Sequence, residues 1–138
     1  MAVTLNPYLN FRGNAREAME FYRGVFGGEL TVSTFADFGA TVDPGEADLV
    51  MHSDLEGDDG IRFMGADTPS HMDYSPGTNF SMSLSGEDEA QLRGFYDQLV
   101  DGGNVIQPLE AAPWGDIFGM CADRFGITWL VNIAAPKD

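Results

Sequence analysis

The sequence has few positive charges and a single cysteine. Its 138 residues include 7 Lys plus Arg and 22 Asp plus Glu, which gives a net charge of −15. A surface this acidic repels phosphate backbones and anionic membranes, so neither nucleic acid nor membrane is an expected partner. The single cysteine, Cys121, excludes an internal disulfide and any metal site built from several cysteines. We expect it to be an inert core residue of a protein located in a reducing cytoplasm.

The sequence also lacks long apolar runs. No stretch approaches the length that a membrane-spanning helix requires. The first residues, MAVTLNPYLNF, show no basic segment followed by an apolar one, so we expect no secretory signal. Hydrophobic residues make up 43% of the chain, and the length fits a single globular domain over residues 1–138.

Periodicity predicts one helix and four strands in the first half. Residues 5–11 alternate apolar and polar side chains and predict a strand, which Pro7 places at a sheet edge or a strand start because proline cannot donate to a ladder. A helix is expected from the N-cap residue Asn14 to Gly27. The predicted strands that follow span residues 29–38, 48–55 and 61–67.

The pattern restarts after a polar linker at residues 68–77. Residues 79–85 alternate again, Ser85 is a possible N-cap, and a second apolar helical stripe ends at Gly102. Strand candidates follow at residues 104–111, 116–123 and 127–133. We expect both helices to pack on the sheets and to bury these residues: Met19, Tyr22, Phe26, Leu92, Phe95 and Leu99.

The two halves indicate an internal duplication. A Phe-Tyr pair recurs at an offset of 95 − 21 = 74 residues, and the glycine that ends each helix recurs at 102 − 27 = 75. The sequence therefore predicts an α+β fold of tandem βαβββ repeats, with one half at about 5–67 and the other at about 78–135.

Several strings resemble those of a known superfamily. NPYLNF, GNAREAMEFYRGVFGGEL, LVMHSDL and above all the APWGD…DRFG-x-x-W string at residues 112–129 resemble the PhnB-like branch of the vicinal oxygen chelate superfamily, which includes glyoxalases, bleomycin-resistance proteins and extradiol dioxygenases. The resemblance covers about Leu5 to Ile133. It implies curled mixed sheets, one per half, that form cups around one pocket, with a divalent metal that supports lyase- or dioxygenase-type chemistry. This branch is also labelled 3-demethylubiquinone methyltransferase-like. That label finds no support in the sequence, because no glycine-rich loop follows a strand and opens a helix, as a nucleotide-like cofactor site requires.

The resemblance also implies a metal site that this chain fills poorly. The expected ligands are His or Glu on the first and fourth strands of each half. These positions fall on Asn6, His52, Ser81 (Asn79 if the register slips) and Leu130, so only His52 is a competent ligand. Asp54 or His71 could assist it. We expect no cofactor and no tightly bound metal; if a divalent metal binds, His52 is its ligand.

The polar faces of the predicted strands suggest a pocket for a small organic ligand. Aromatic walls with a few polar anchors suit such ligands. The expected pocket residues are Asn6, Tyr8, Asn10, His52, Asp54, Ser81, Ser83, Trp114, Phe118 and Met120, with Thr128 and Asn132 on the same faces.

Three hypotheses remain open at this point. The chain is a binding protein with a degenerate metal site, an enzyme that uses His52 as metal ligand or general base, or an oligomeric scaffold with a vestigial pocket. The exposed edge of each half-sheet also predicts a homodimer.

Overall fold

The computed structural model describes residues 3–41 and 43–136. The chain divides into two compact units between Pro76 and Gly77. Each unit contains one four-stranded sheet and one α-helix, in the order βαβββ. The predicted α+β fold of two βαβββ repeats is therefore confirmed. No helix among the described residues is long and apolar enough to cross a membrane.

The first unit has the strand order β1-β4-β3-β2. β1 runs parallel to β4, and the other neighbours are antiparallel. Pro7 immediately precedes the edge strand β1, as its missing N–H predicts. The elements of this unit are β1 (Tyr8–Phe11), α1 (Ala15–Phe26), β2 (Glu29–Thr34), β3 (Val50–Glu56) and β4 (Arg62–Asp67), with 3₁₀ turns at Pro44–Glu46 and Asp58–Gly60.

The second unit repeats this topology with the order β5-β8-β7-β6. β5 is parallel to β8, and the remaining pairs are antiparallel. Its elements are β5 (Met82–Gly86), α2 (Glu89–Val100), β6 (Asn104–Ala111), β7 (Ile117–Ala122) and β8 (Thr128–Ile133).

The core of each unit is built from apolar residues of its helix and of the strands beneath it. In α1 the predicted burial of Met19, Tyr22 and Phe26 is confirmed, and the rings of Tyr22 and Phe26 pack edge-on against Phe63 at centroid distances of 5.4 and 6.0 Å. Such aromatic pairs add to the stabilisation that burial itself provides.

The prediction for α2 is correct at two of three positions. Leu92 and Leu99 are buried, but Phe95 is only half-buried and Tyr96 is buried instead. Neighbouring residues on a helix point about 100° apart, so Phe95 lies at the edge of the stripe when Tyr96 faces the sheet. The hydroxyl of Tyr96 donates to the backbone carbonyls of Gln107 (2.9 Å) and Met120 (3.3 Å), which satisfies its polar end.

Asn14 is the N-cap residue of α1 as predicted, whereas the predicted cap of α2 is wrong. The Asn14 side chain makes no capping bond. Instead, the buried Asp67 at the end of β4 accepts from the N–H groups of Gly13 (2.7 Å) and Ala15 (3.0 Å). Ser85 belongs to β5, and the α2 cap is Asp88, which accepts from the N–H of Gln91 at 3.0 Å.

A second buried carboxylate explains the DRFG-x-x-W string. Asp123 lies in the turn between β7 and β8, where one of its oxygens accepts from the N–H groups of Phe125 (2.8 Å) and Ile127 (3.1 Å). Its other oxygen accepts from the indole N–H of the buried Trp129 at 2.8 Å. These residues therefore form a structural turn rather than a reactive group.

Candidate functional site

Each sheet has one face covered by its helix and one opposite face, which we call the open face. In the first unit, a Cβ added to Gly65 would lie 2.9 Å from the sulfur of Met19 on α1, so the Gly65 position faces the helix. Side chains alternate along a strand, so the neighbouring residues Met64 and Ala66 point to the open face. In the second unit, the same alternation places Thr128, Leu130 and Asn132 on the open face, opposite the buried side of β8.

The strand registers arrange the open face of the first unit in two rows. The front row crosses the sheet through Tyr8, Met64, Asp54 and Thr31, which pair in register from β1 to β2. In the back row, Asn10 pairs with Ala66, and His52 pairs with Ser33. Paired residues on one face lie side by side, so four predicted pocket residues come together here: Tyr8, Asn10, His52 and Asp54.

Tyr8 and His52 form the central polar pair of this face. The Tyr8 hydroxyl lies 3.3 Å from His52 Nδ1, and the ring centroids are 5.9 Å apart. Burial raises the pKa of Tyr8, so the phenol stays protonated and able to donate near neutral pH. When Nδ1 accepts this bond, the proton of a neutral imidazole is on Nε2, which remains as a donor for a ligand.

Asp54 is engaged by an arginine that the sequence did not single out. Arg62 donates from Nη2 and Nε to the two Asp54 oxygens at 2.8 and 3.3 Å. This guanidinium lowers the pKa of Asp54. The sequence signal was present, since Arg62 stands two residues before Met64 on β4, but only the register brings it beside Asp54. The suggestion that Asp54 assists a metal at His52 finds no support in this arrangement.

The second unit has equivalent rows with different side chains. Its front row contains Ser83, Leu130, Met120 and Gln107. Its back row contains Ser85, Asn132, Phe118 and Glu110. The predicted pocket residues Ser83, Phe118 and Met120 therefore share the open face of this sheet.

Trp114 is fixed to this face by a chain of hydrogen bonds. Its indole N–H donates to Asn132 Oδ1 at 3.2 Å, and Asn132 Nδ2 donates to Asp116 Oδ2 at 3.0 Å. Asp116 Oδ1 accepts from the N–H of Ala135 at 2.9 Å, and the bonds from Asn132 and Ala135 lower the Asp116 pKa. The Trp114 ring packs edge-on to Phe118 at 5.5 Å, yet 60% of the residue stays exposed.

Other predicted residues lie away from the rows. Asn6 and Ser81 precede β1 and β5, so their expected strand positions are wrong, and Asn6 donates to the Thr4 hydroxyl instead. His71 is exposed in the segment between β4 and β5. Cys121 is buried in the core, as expected for an inert thiol, and burial raises its pKa to about 11.

The positions implied for metal ligands do not fit a metal. The fourth strand of the first half is Arg62–Asp67, so His52, on β3, does not occupy the fourth-strand position assigned to it. The first and fourth strands actually align Tyr8 with Met64, and in the second unit Ser83 with Leu130. Neither pair offers a carboxylate or an imidazole. Among the residues that the structure describes, no three His, Cys, Asp or Glu side chains are grouped as metal ligands.

Comparison with known proteins identifies the family. A profile of the Glyoxalase/Bleomycin resistance protein/Dioxygenase superfamily matches residues 4–131. The chain belongs to this superfamily. Among solved structures, protein PA1353 from Pseudomonas aeruginosa is 33% identical, with a TM-score of 0.80 and coverage of 96% of this chain and 98% of that one.

Proteins with lower sequence identity also match this chain over nearly its full length. The PhnB protein from Bacillus cereus is 24% identical, with a TM-score of 0.77 over 96% of this chain and all of that one, a likeness that concerns the fold alone. Protein YjdN of Escherichia coli is 23% identical and covers 96% of this chain and 97% of its own length. The family and its PhnB-like relatives thus agree with the resemblance drawn from the sequence strings.

Proposed function

We propose that this protein binds a small organic ligand on the open faces of its sheets without the help of a metal. The observation that carries the proposal is the pairing of first and fourth strands. Tyr8 stands beside Met64, and Ser83 beside Leu130, where metal ligands of the superfamily are expected. These side chains are poor metal ligands, but they suit an organic molecule that needs apolar contact and a few hydrogen bonds.

The Tyr8–His52 pair supplies the main polar anchor of the proposed site. Tyr8 is 44% exposed and orients the imidazole through its hydroxyl, so the ring is partly preorganised before a ligand arrives. Arg62 forms ion pairs nearby with Asp54 at 2.8 Å and with Glu56 at 3.8 Å. A ligand on this face therefore meets the imidazole of His52, an amide at Asn10 and a thioether at Met64, while the neighbouring carboxylates are paired with an arginine.

A fragment screen by ligand-observed NMR, on protein treated with EDTA, tests the proposal. We expect hits whose affinity is unchanged by added zinc, nickel or manganese. His52→Ala should weaken binding of these hits about fivefold or more, because a hydrogen bond in a partly buried site contributes about 1 kcal/mol or more. His71→Ala is the matched control, because His71 is exposed in a connecting segment. Binding that requires a divalent metal would contradict the proposal.

A metal-free enzyme is the second candidate, and the same Tyr8–His52 contact favours it. If Nδ1 carries the proton and donates to the Tyr8 oxygen, Nε2 is free to accept a proton as a general base. NMR can follow exchange of α-protons of a bound carbonyl compound in deuterated buffer. Exchange that is catalysed by the wild type and lost in His52→Ala would favour the enzyme over the binding protein.

We also propose that the chain forms a homodimer. The strands β1, β2, β5 and β6 end their sheets, and β6 exposes Val105 and Ile106 by 46% and 50%. Edge strands with exposed apolar side chains favour pairing with another chain. Light scattering at micromolar concentration should give twice the chain mass of 15.0 kDa. A monomer mass would contradict this proposal.

A further inference from the structure

We propose that the open face of the second unit selects organic cations, such as protonated or quaternary amines attached to an aromatic or apolar body. The inference rests on the proposed ligand-binding function and names the ligand class for this face. It depends on three features of the unit: an indole held in place, carboxylates beside it, and arginines placed elsewhere.

Trp114 is held as a platform for a ligand. Its N–H is engaged by Asn132 and its ring packs against Phe118, so its orientation is set without a ligand. The residue nevertheless keeps 60% of its surface accessible. The negative face of an indole attracts a cation within about 6 Å of the ring centre, most strongly among the aromatic side chains.

Two carboxylates lie beside this platform. Asp116 is linked to the indole through Asn132, and its hydrogen bonds favour the anionic form. Glu110 pairs in register with Phe118, so its side chain is a cross-strand neighbour of the ring that contacts Trp114. Glu110 accepts from Gln107 Nε2 at 3.0 Å, which restrains it on this face.

The arginines of this unit form ion pairs on α2 or at its end. Within residues 77–136, the basic side chains are Arg93 and Arg124. Arg93 pairs with Glu89 on α2 at 2.7 Å, and Arg124 pairs with Asp101 at the helix end at 3.3 Å. The two arginines of this unit therefore do not offset the carboxylates beside Trp114, which favours cations and disfavours anions.

Three probes that share a benzyl or phenyl body test the charge preference: benzyltrimethylammonium, benzyl alcohol and benzoate. Titrations of the full chain at low ionic strength are followed by the Trp114 indole N–H resonance and by tryptophan fluorescence. The other tryptophan, Trp129, is buried, so quenching by a probe reports Trp114. We expect the cation to bind at least about fivefold more tightly than the alcohol, benzoate to bind most weakly, and added salt to reduce the advantage of the cation.

Substitutions distinguish the contribution of the indole ring to cation binding from that of the carboxylate charge. Because Trp114→Leu removes the reporting indole, binding by both variants is followed by ligand-observed NMR of the probes. Trp114→Leu should weaken binding of the cation about fivefold or more, and Glu110→Gln about two- to threefold, with little effect on binding of benzyl alcohol. Phe80→Leu, an exposed aromatic outside the strands, should leave binding unchanged. Equal affinities for the three probes, no binding of the cation, or full binding by Trp114→Leu would each overturn the inference. The metal-free fragment hits that depend on His52 would stand regardless, so failure here is distinguishable from failure of the proposed function.

Discussion

Replacing the buried Asp67 by asparagine should destabilise the first unit more than its small change of shape suggests. Asp67 is 5% exposed, and its two oxygens accept three backbone N–H groups. Oδ1 binds Gly13 and Ala15 at the start of α1, at 2.7 and 3.0 Å, and Oδ2 binds Val50 at the start of β3 at 3.0 Å. This one carboxylate therefore joins β4 to both elements.

The magnitude follows from the groups left unpaired. In Asp67→Asn, one acceptor oxygen becomes an amide NH₂, which faces a backbone N–H and cannot accept from it. A hydrogen bond to a charged group contributes about 1.5–3 kcal/mol, and the remaining bonds become neutral and weaker. We expect a loss of about 2–4 kcal/mol in the free energy of unfolding. For a chain of this length, that loss lowers the Tm by roughly 7–14 °C.

Urea unfolding followed by circular dichroism measures this loss. Asp97→Asn on the exposed side of α2 is the control, because it makes the same chemical change in solvent. We expect that control to stay within about 0.5 kcal/mol of the wild type. An equally small effect of Asp67→Asn would refute the view that this carboxylate holds the helix start and the β3 start together.

Three further perturbations test other parts of the structure. Gly65→Ala places a methyl carbon 2.9 Å from a methionine sulfur, so urea unfolding should show a loss of about 1–2 kcal/mol in the free energy of unfolding. The control Gly94→Ala, with open space around it in α2, should raise the free energy of unfolding by up to about 1 kcal/mol. Burial raises the pKa of Cys121 to about 11, so a disulfide reagent at pH 8 should label it only as fast as the protein unfolds; equal rates in buffer and in urea would contradict this. Arg62 lowers the folded-state pKa of Asp54. The ion pair therefore stabilises the folded protein above pH 3.8, the ordinary pKa of this carboxyl, and that stabilisation is lost as the pH falls through the lowered pKa of the folded state. The stability difference between the wild type and Arg62→Gln should therefore be at most about 1 kcal/mol at pH 7 and shrink on acidification, and a difference that persists unchanged at pH 2 would contradict the assignment.

Local sequence patterns were sufficient to predict the secondary-structure elements and the internal repeat. The apolar stripe around Met19 and the glycines after each helix depend on neighbours within a few residues, and the structure confirms both helices. Predictions that depend on distant partners were less accurate. Asn14 had the right side chain for a cap, but Asp67, which lies 52 residues beyond Ala15 along the chain, provides the capping bonds.

The sequence indicated which side chains share a face of a strand, but not how side chains of different strands are arranged. The alternation along β3 suggested that His52 and Asp54 share a face, and they do. A register shift between β2 and β3 lies beside His52, however, and periodicity gives no sign of it. Neither the Tyr8–His52 contact nor the Asp54–Arg62 pair could be derived, because each joins side chains from different strands whose pairing is set by the whole sheet.

The two units agree in how their helices pack on their sheets and differ in the side chains on their open faces. At the 74-residue offset, Tyr22 and Tyr96 are both buried under their sheets, because the packing of helix on sheet is the same in each unit. On the open faces the corresponding rows differ, with Tyr8 in place of Ser83 and His52 where the second unit has Phe118. Residues that pack a core cannot vary freely, whereas residues on an open face can. The side chains in which the two units differ are therefore those to substitute in a test of the proposed ligand binding, the imidazole in the first unit and the indole in the second.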